Sequence, residues 1–254
     1  TGKGDGSPMT AERTARQWCG RPDIPARPSH HSLLVPYYEH PRDRPAEWDA
    51  LVSAAPRLYG VVLNPANGPG DAPDPAFIQV AGRLRAAGVR LLGYADTGYG
   101  RRPVTEVVRE LTRYQAWYGT DGTFLDQVAA ELGGFDYYRR LAAAVRGAGH
   151  ATLALNHGTP PHPAYARIAN LVVTFEGSWE TYREQPPEPW PGGSGSGSGS
   201  GGLGVRVCHL VHGVPPDTDV GGLARTRGAS VHCAVPGVGD HPWGTLPHAL
   251  EPTR

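Results

Sequence analysis

Cysteine, lysine and methionine are nearly missing from this sequence, and it has no long apolar run. Three cysteines in 254 residues are too few for a disulfide framework in a chain of this size, and at least one has no partner within the chain. Cys208 and Cys233 lie inside apolar runs, where a small buried hydrophobe is the expected role, and no Cys-x-x-Cys pair suggests zinc or redox work. No apolar stretch approaches 18 residues, so no membrane-spanning helix is expected. Neither sign of charge dominates: 24 basic residues balance 24 acidic ones, without a long run of either. That argues against nucleic acid or a membrane surface as a partner held by electrostatics. Lys3 is the one lysine among the basic residues, and the excess of arginine, alanine, glycine and proline reads as coding bias rather than chemistry. No signal-peptide pattern opens the sequence, which does not begin with Met, so the compartment stays open on this ground.

What is present is a repeated plan. Residues 1–28 are rich in Gly, Pro and Arg without periodicity and read as a flexible tail. Residues 29–254 then alternate short apolar runs with helical or loop segments. The runs are 32–38, 58–65, 89–96, 122–128, 151–158, 170–177, 205–213 and 229–236. Each has strand length and most are apolar on both faces, as strands of a covered parallel sheet are. Helices are expected over 44–55, 73–88, 102–119, 136–149 and 217–228, from apolar spacing of three and four, Pro or Asp at their starts, and Gly88 and Gly119 at two of their ends. Eight strands with eight returns predict one α/β domain, a (β/α)8 barrel of the TIM type. An open doubly wound sheet is the alternative, but "VPYYEHP" after the first strand is not a glycine phosphate loop. The Gly/Ser segment 191–204 is a flexible loop by composition, natural or engineered, and lengthens the return between the sixth and seventh strands.

Polar side chains close several of the runs: Asn64 and Asn67, Tyr94 and Asp96, Asp126 and Gln127, Asn156 and His157, then Glu176. In such a barrel these ends meet at the face that carries active sites. Asp126 and Glu176 stand two strands apart, where two carboxyls can approach across the mouth and serve glycoside hydrolysis, one ionised and the other protonated in a partly apolar setting such as Phe175 and Trp179. Asp96 is a third acid at the rim, suited to a substrate hydroxyl or amino group. Tyr37, Tyr38, Tyr94, Tyr99 and Trp179 are nearby in sequence to stack on sugar rings. The bland readings are a helix cap or ion pair for a lone carboxylate, and a simple turn for "LNPANGPG". His209 and His212, three apart on a strand, face opposite ways, so a shared metal is not expected. His30 and His31 lack nearby partners, and "TGKGDGS" has the wrong spacing for a phosphate loop.

The segments "LLVPYYEHP", "VVLNPANGPG", "GYADTGYGRR", "YQAWYGTDGTFLDQV", "LNHGTP", "VVTFEGSWETY" and "HPWGTLP" together resemble the spherulin-4 family (spherulation-specific family 4) over roughly residues 32 to 250. The resemblance implies a (β/α)8 glycoside hydrolase related to families 135, 114 and 166, which act on α-1,4-linked galactosamine or N-acetylgalactosamine polymers such as galactosaminogalactan. It implies Asp126 as nucleophile and Glu176 as general acid/base, with Tyr38, Asn64, Asn67, Tyr94, Asp96, Tyr99 and Arg101 shaping the sugar site. Gln127, Asn156, Trp179 and His209 are further substrate-binding candidates. It also implies an extracellular, secreted protein acting on a polysaccharide. No metal and no organic cofactor are expected, and a monomer is expected.

One position departs from the family pattern, in which Asp-Glu stands where this chain has Asp126-Gln127. An amide cannot exchange a proton at useful pH. Two readings stay open: an endo-acting hydrolase that needs only Asp126 and Glu176, or a polysaccharide-binding or cell-wall protein that has lost catalysis. A barrel enzyme on a phosphorylated metabolite is a weaker third, because no Gly-rich phosphate loop follows the seventh or eighth strand. Side chains alternate along a strand, so residues 126 and 127 share the mouth only where a bulge or strand end re-aims one of them.

Overall fold

The eight apolar runs form eight strands in a computed structural model of the protein, which describes Thr1 and residues 32–193 and 204–252. The strands are β1 (Leu33–Pro36), β2 (Leu58–Leu63), β3 (Leu91–Asp96), β4 (Gly122–Asp126), β5 (Thr152–Asn156), β6 (Leu171–Ser178), β7 (Arg206–His212) and β8 (Val231–Ala234). All pair in parallel with their sequence neighbours, and β8 returns to β1 where His232 faces Leu33, so the sheet is a closed barrel. The predicted TIM-type barrel is therefore the observed fold. Most of the expected tail and the centre of the Gly/Ser loop lie outside the described residues, as do Lys3, Cys19, His30 and His31.

The helices are α1 (Pro45–Ser53), α2 (Pro75–Ala86), α3 (Val104–Tyr118), α4 (Phe135–Gly147), α5 (Trp179–Glu184) and α6 (Val220–Thr226). Their limits follow local chemistry. Asp74 caps α2 by accepting the Ala76 and Phe77 N–H groups, with Pro75 behind it. Gly119 ends α3 in the left-handed conformation, at φ 64°. α6 is shorter than the expected 217–228, because Asp217 stands at φ 61° and the helix starts only where Asp219 accepts the Gly222 N–H. α5 carries no expectation from periodicity; six residues are too few to reveal one. Among the described residues, the returns after β5 and β8 hold only short 3-10 turns.

Alternation along the strands makes two apolar layers. Tyr94, Phe124, Ala154, Val173, Cys208 and Cys233 fill the barrel interior, and the two cysteines are unpaired core residues as expected. Leu125, Leu155 and Val172 point outward against Leu141, Val145 and Tyr165. Gly93 lets α3 lean on the sheet, since a Cβ there would stand 2.5 Å from the Tyr114 ring. No described helix is long and apolar enough to cross a membrane.

Breaks of regularity in β4 and β6 aim side chains. β4 stops at Asp126 rather than 128 because Gln127 has φ 49°, in the left-handed region that a strand cannot use. In β6 the pairing to β7 slips: Val173 faces Cys208 and Phe175 faces His209, leaving Thr174 as an extra residue. Val173 packs in the interior and Phe175 in a separate outer cluster with Tyr182 and Val211. The bulge thus restarts the alternation so that Glu176, three residues after Val173, again faces inward.

Candidate active site

β3 and β4 pair in register, setting Tyr94 beside Phe124 and Asp96 beside Asp126. The Tyr94 ring stacks on Phe124 at 6.5 Å, and its hydroxyl donates to Asp126 Oδ2 at 2.8 Å. Asn156, the last residue of β5, donates through Nδ2 to Asp126 Oδ1 at 2.8 Å and to Glu176 Oε2 at 2.5 Å. Its own Oδ1 accepts the Gly158 N–H at 3.1 Å, which orients the amide. Two carboxylate oxygens on one nitrogen are separated by no more than the two bonds combined, at most about 5.3 Å. Glu176 Oε1 accepts the Trp243 indole N–H at 3.1 Å.

Trp243 comes from the loop after β8, and its carbonyl accepts the Tyr38 N–H at 3.2 Å. That bond ties the last loop to the first across the barrel closure. The Tyr38 ring meets Tyr94 edge-on at 5.8 Å, so it joins the carboxylate cluster.

Burial raises both acids, and the two differ in their donors. The charge on Asp96 raises the Asp126 carboxyl further, but the Tyr94 hydroxyl, the Gln127 N–H and the Asn156 amide all favour its ionised form. Burial also raises Glu176; Asn156 and Trp243 oppose this, while the charge on Asp126 pushes it further up. With the larger set of donors, Asp126 is the group suited to carry the charge and Glu176 the one suited to carry a proton. Burial and the charge on Asp126 hold the Tyr38 and Tyr94 hydroxyls protonated, as donors.

A second carboxylate site adjoins the first. Asp96 accepts the Gly98 N–H at 2.6 Å through Oδ1 and the Gln127 Nε2–H at 3.0 Å through Oδ2. The left-handed backbone of Gln127 turns its amide toward Asp96, so consecutive residues 126 and 127 both serve the mouth. That backbone is held by Tyr99 N–H on the Gln127 carbonyl at 2.8 Å and by the Thr97 hydroxyl on the same oxygen at 2.8 Å.

The remaining candidates divide. Tyr99, 55% exposed and at φ 56°, and Arg101, whose guanidinium lies 5.7 Å from the Tyr99 ring, form an outer rim on the loop after β3. Asn64 accepts the Gly68 N–H at 2.8 Å, and Asn67 is exposed at φ 50°. These two build the turn after β2, the bland reading of "LNPANGPG". Trp179 opens α5 beside Glu176 and packs on Tyr182 at 6.3 Å. His209 is a correction: it points out of the barrel, bonded to the Tyr182 hydroxyl at 2.9 Å and to Thr174 Oγ1 at 3.2 Å. The strand period places it on the opposite face from its inward neighbours Cys208 and Leu210. Tyr37 is likewise turned away, buried against Trp48.

Trp243 and His212 carry no binding or catalytic expectation from the sequence. His212 ends β7, and its ring lies 6.3 Å from Trp243, on the face opposite His209 as the spacing requires. The available signal for Trp243 was an aromatic in "HPWGTLP", past the last strand and far in sequence from every other site residue. Replacing Trp243 with Phe removes a donor worth about 1.5–3 kcal/mol to Glu176 in its ionised form, the form that acts as base. The expected result is a roughly 10- to 100-fold lower kcat, with the alkaline limb of the pH profile moved upward, read from initial rates across pH.

Comparison with known proteins gives the same fold and a family. A crystal structure of Aspergillus clavatus Sph3 in complex with GalNAc superposes with a TM-score of 0.71, covering 87% of this chain and 94% of that one at 24% identity. The N-terminal domain of a putative aldolase from Bacteroides vulgatus superposes with a TM-score of 0.51, over 86% of this chain and 77% of that one, at 12% identity. Spherulin-4 of Physarum polycephalum is 34% identical over 149 residues, which are 57% of this chain but 44% of that relative. The family model of spherulation-specific family 4 matches residues 32–232, and this protein belongs to that family.

Proposed function

We propose that this chain is a retaining, endo-acting glycoside hydrolase on α-1,4-linked polysaccharide containing galactosamine or N-acetylgalactosamine. The observation that carries the reading is the single Asn156 nitrogen bonded to both Asp126 and Glu176. Two carboxyls close enough to share one amide nitrogen suit a retaining pair, whereas inversion needs roughly 6.5–9.5 Å between them to admit water. In the first step Asp126 attacks the anomeric carbon while Glu176 gives its proton to the departing glycosidic oxygen, leaving a glycosyl ester. In the second, the Glu176 carboxylate takes a proton from water, the water oxygen attacks the same carbon, and Asp126 is released. Asn156 steadies both carboxylates as charge moves between them, and the Tyr94 hydroxyl stays on Asp126.

Sugar recognition falls to the groups around this pair. Asp96, with only donors on its oxygens, suits a hydroxyl or amino group. The GalNAc bound in the Aspergillus clavatus structure supports an amino-sugar substrate. An endo mode is supported by exposed apolar side chains on βα loops at the mouth end, Tyr99, Leu132 and Val238, which can line an extended polymer. Gln127 favours the rival binding-only reading by its amide, but its bond to Asp96 gives it a supporting role that needs no proton transfer. The test is reducing-end release from an α-1,4-linked galactosamine polymer, with the product anomer read by NMR at early times. Release of α-configured ends is expected; binding without release would establish the rival.

A further inference from the structure

Glu176 faces the mouth only because β6 carries one extra residue, and the groups that hold this residue are not in the mouth. Thr174 is the bulged residue, and its hydroxyl is bonded to His209 Nε2 at 3.2 Å. His209 Nδ1 is bonded to the Tyr182 hydroxyl at 2.9 Å. Thr174, His209 and Tyr182 are each no more than 1% exposed. Tyr182 is fixed in turn by the Phe175 ring at 4.8 Å, by the Arg227 guanidinium 4.1 Å over its face, and by Arg227 Nη1 on its carbonyl at 2.6 Å. We propose that Thr174, His209 and Tyr182 form a buried lock on the β6 bulge, and that they are positioning residues for Glu176.

The surroundings argue for a directional role rather than filling. The lock lies among Phe175, Val211, Val214 and Val220, where an apolar trio of similar shape would pack without desolvating an imidazole. A neutral imidazole has one donor and one acceptor, so either tautomer completes both bonds with the flanking hydroxyls. Such a chain fixes distance and angle between α5 and the bulge, as apolar packing alone does not. If the bulge relaxes to regular pairing, the alternation carries Glu176 to the outer face, away from Asn156 and Trp243. A misplacement of about 1 Å in a reacting group already costs on the order of 100-fold in rate.

The catalytic part of this inference rests on the proposed hydrolase reading; the lock rests on geometry. Thr174→Val keeps the branched shape and deletes the hydroxyl, while Thr174→Ser keeps the hydroxyl. Thr174→Val is expected to lower kcat on the polymer about 10- to 100-fold with KM within about twofold, and to move the alkaline limb to lower pH as Glu176 leaves its buried place. Thr174→Ser should retain most of the parent rate. The indole N–H resonance of Trp243, identified by its loss in Trp243→Phe, should shift in Thr174→Val and stay put in Thr174→Ser. Should Thr174→Val not fold, Tyr182→Phe carries the same expectations. Parent-like kcat, pH profile and indole resonance in Thr174→Val overturn the proposal, as does equal impairment by Val and Ser. The resonance needs no substrate, so a parent that cleaves nothing would discard the hydrolase reading and still leave the lock tested.

Discussion

Asp126→Asn is expected to lower kcat at least about 10³-fold and, at the same time, to raise the melting temperature. The first effect follows from losing the attacking oxygen: about 4 kcal/mol of barrier corresponds to 10³ in rate. The second follows from the sign of the pKa shift. The folded carboxyl is raised above its ordinary value by burial, so its ionised form weighs against folding increasingly as pH rises through that value. An amide of the same shape removes the buried charge, and it still finds partners. Its NH2 can donate to the Tyr94 oxygen while its carbonyl accepts from Asn156, the two groups now bonded to Asp126. A gain of about 1 kcal/mol moves Tm by roughly 2–4 °C in a chain of this size. Calorimetry at pH 7, beside rates on the polymer, checks both halves. An inactive variant with a lowered Tm would mean that Asp126 is structural.

Acidification from pH 7 to 5 is expected to lower Tm by about 10 °C, because the barrel buries neutral histidines. Burial pulls His157 and His209 down to about 4, below the ordinary value near 6.5. Groups depressed in the folded state contribute stability that is full above pH 6.5 and is lost as pH falls toward 4. At pH 5 each costs about 2 kcal/mol, which two residues turn into a shift near 10 °C. His157 donates Nδ1–H to the Ala129 carbonyl, and its Nε2 has no partner, so protonation leaves a buried N–H without an acceptor. His232 is also held near 4 by burial. It adds less, since its ring faces a cavity of about 470 Å³ on the outer wall between β8 and β1. Proton uptake by Asp126 and Glu176, both raised by burial, works in the opposite direction. Melting curves at pH 7, 6 and 5 read the effect; a flat Tm would refute the assignment of neutral buried histidines.

The barrel was legible because a parallel sheet covered on both faces writes itself as continuous apolar runs, and because Pro, Asp and Gly mark the helix ends. The convergence of Tyr94, Asp96, Asp126, Asn156 and Glu176 followed from their places at strand ends, since closure sends those ends to one mouth. Where the sequence misled, the cause was backbone geometry. The extra residue in β6 has no periodic signature, so neither the bulge by which Glu176 turns inward nor the outward partners of Thr174 could be read. His209, a substrate-binding candidate, sits in the middle of β7, where the strand period turns it outward. Gln127 looked like a lost acid; its left-handed backbone makes it the partner of Asp96. Trp243 joins the site only through barrel closure, which brings the last loop beside the first.

The central claim is that Asp126 is a nucleophile and Glu176 the acid/base beside it. The most direct measurement is mass spectrometry of Glu176→Gln after exposure to an aryl α-galactosaminide. Such a leaving group departs without an acid, while the missing base stalls hydrolysis of the ester. A glycosyl adduct on the tryptic peptide between Arg113 and Arg139 is predicted, absent when Asp126 is also changed to Asn. Turnover to a β-configured product with no adduct would contradict it.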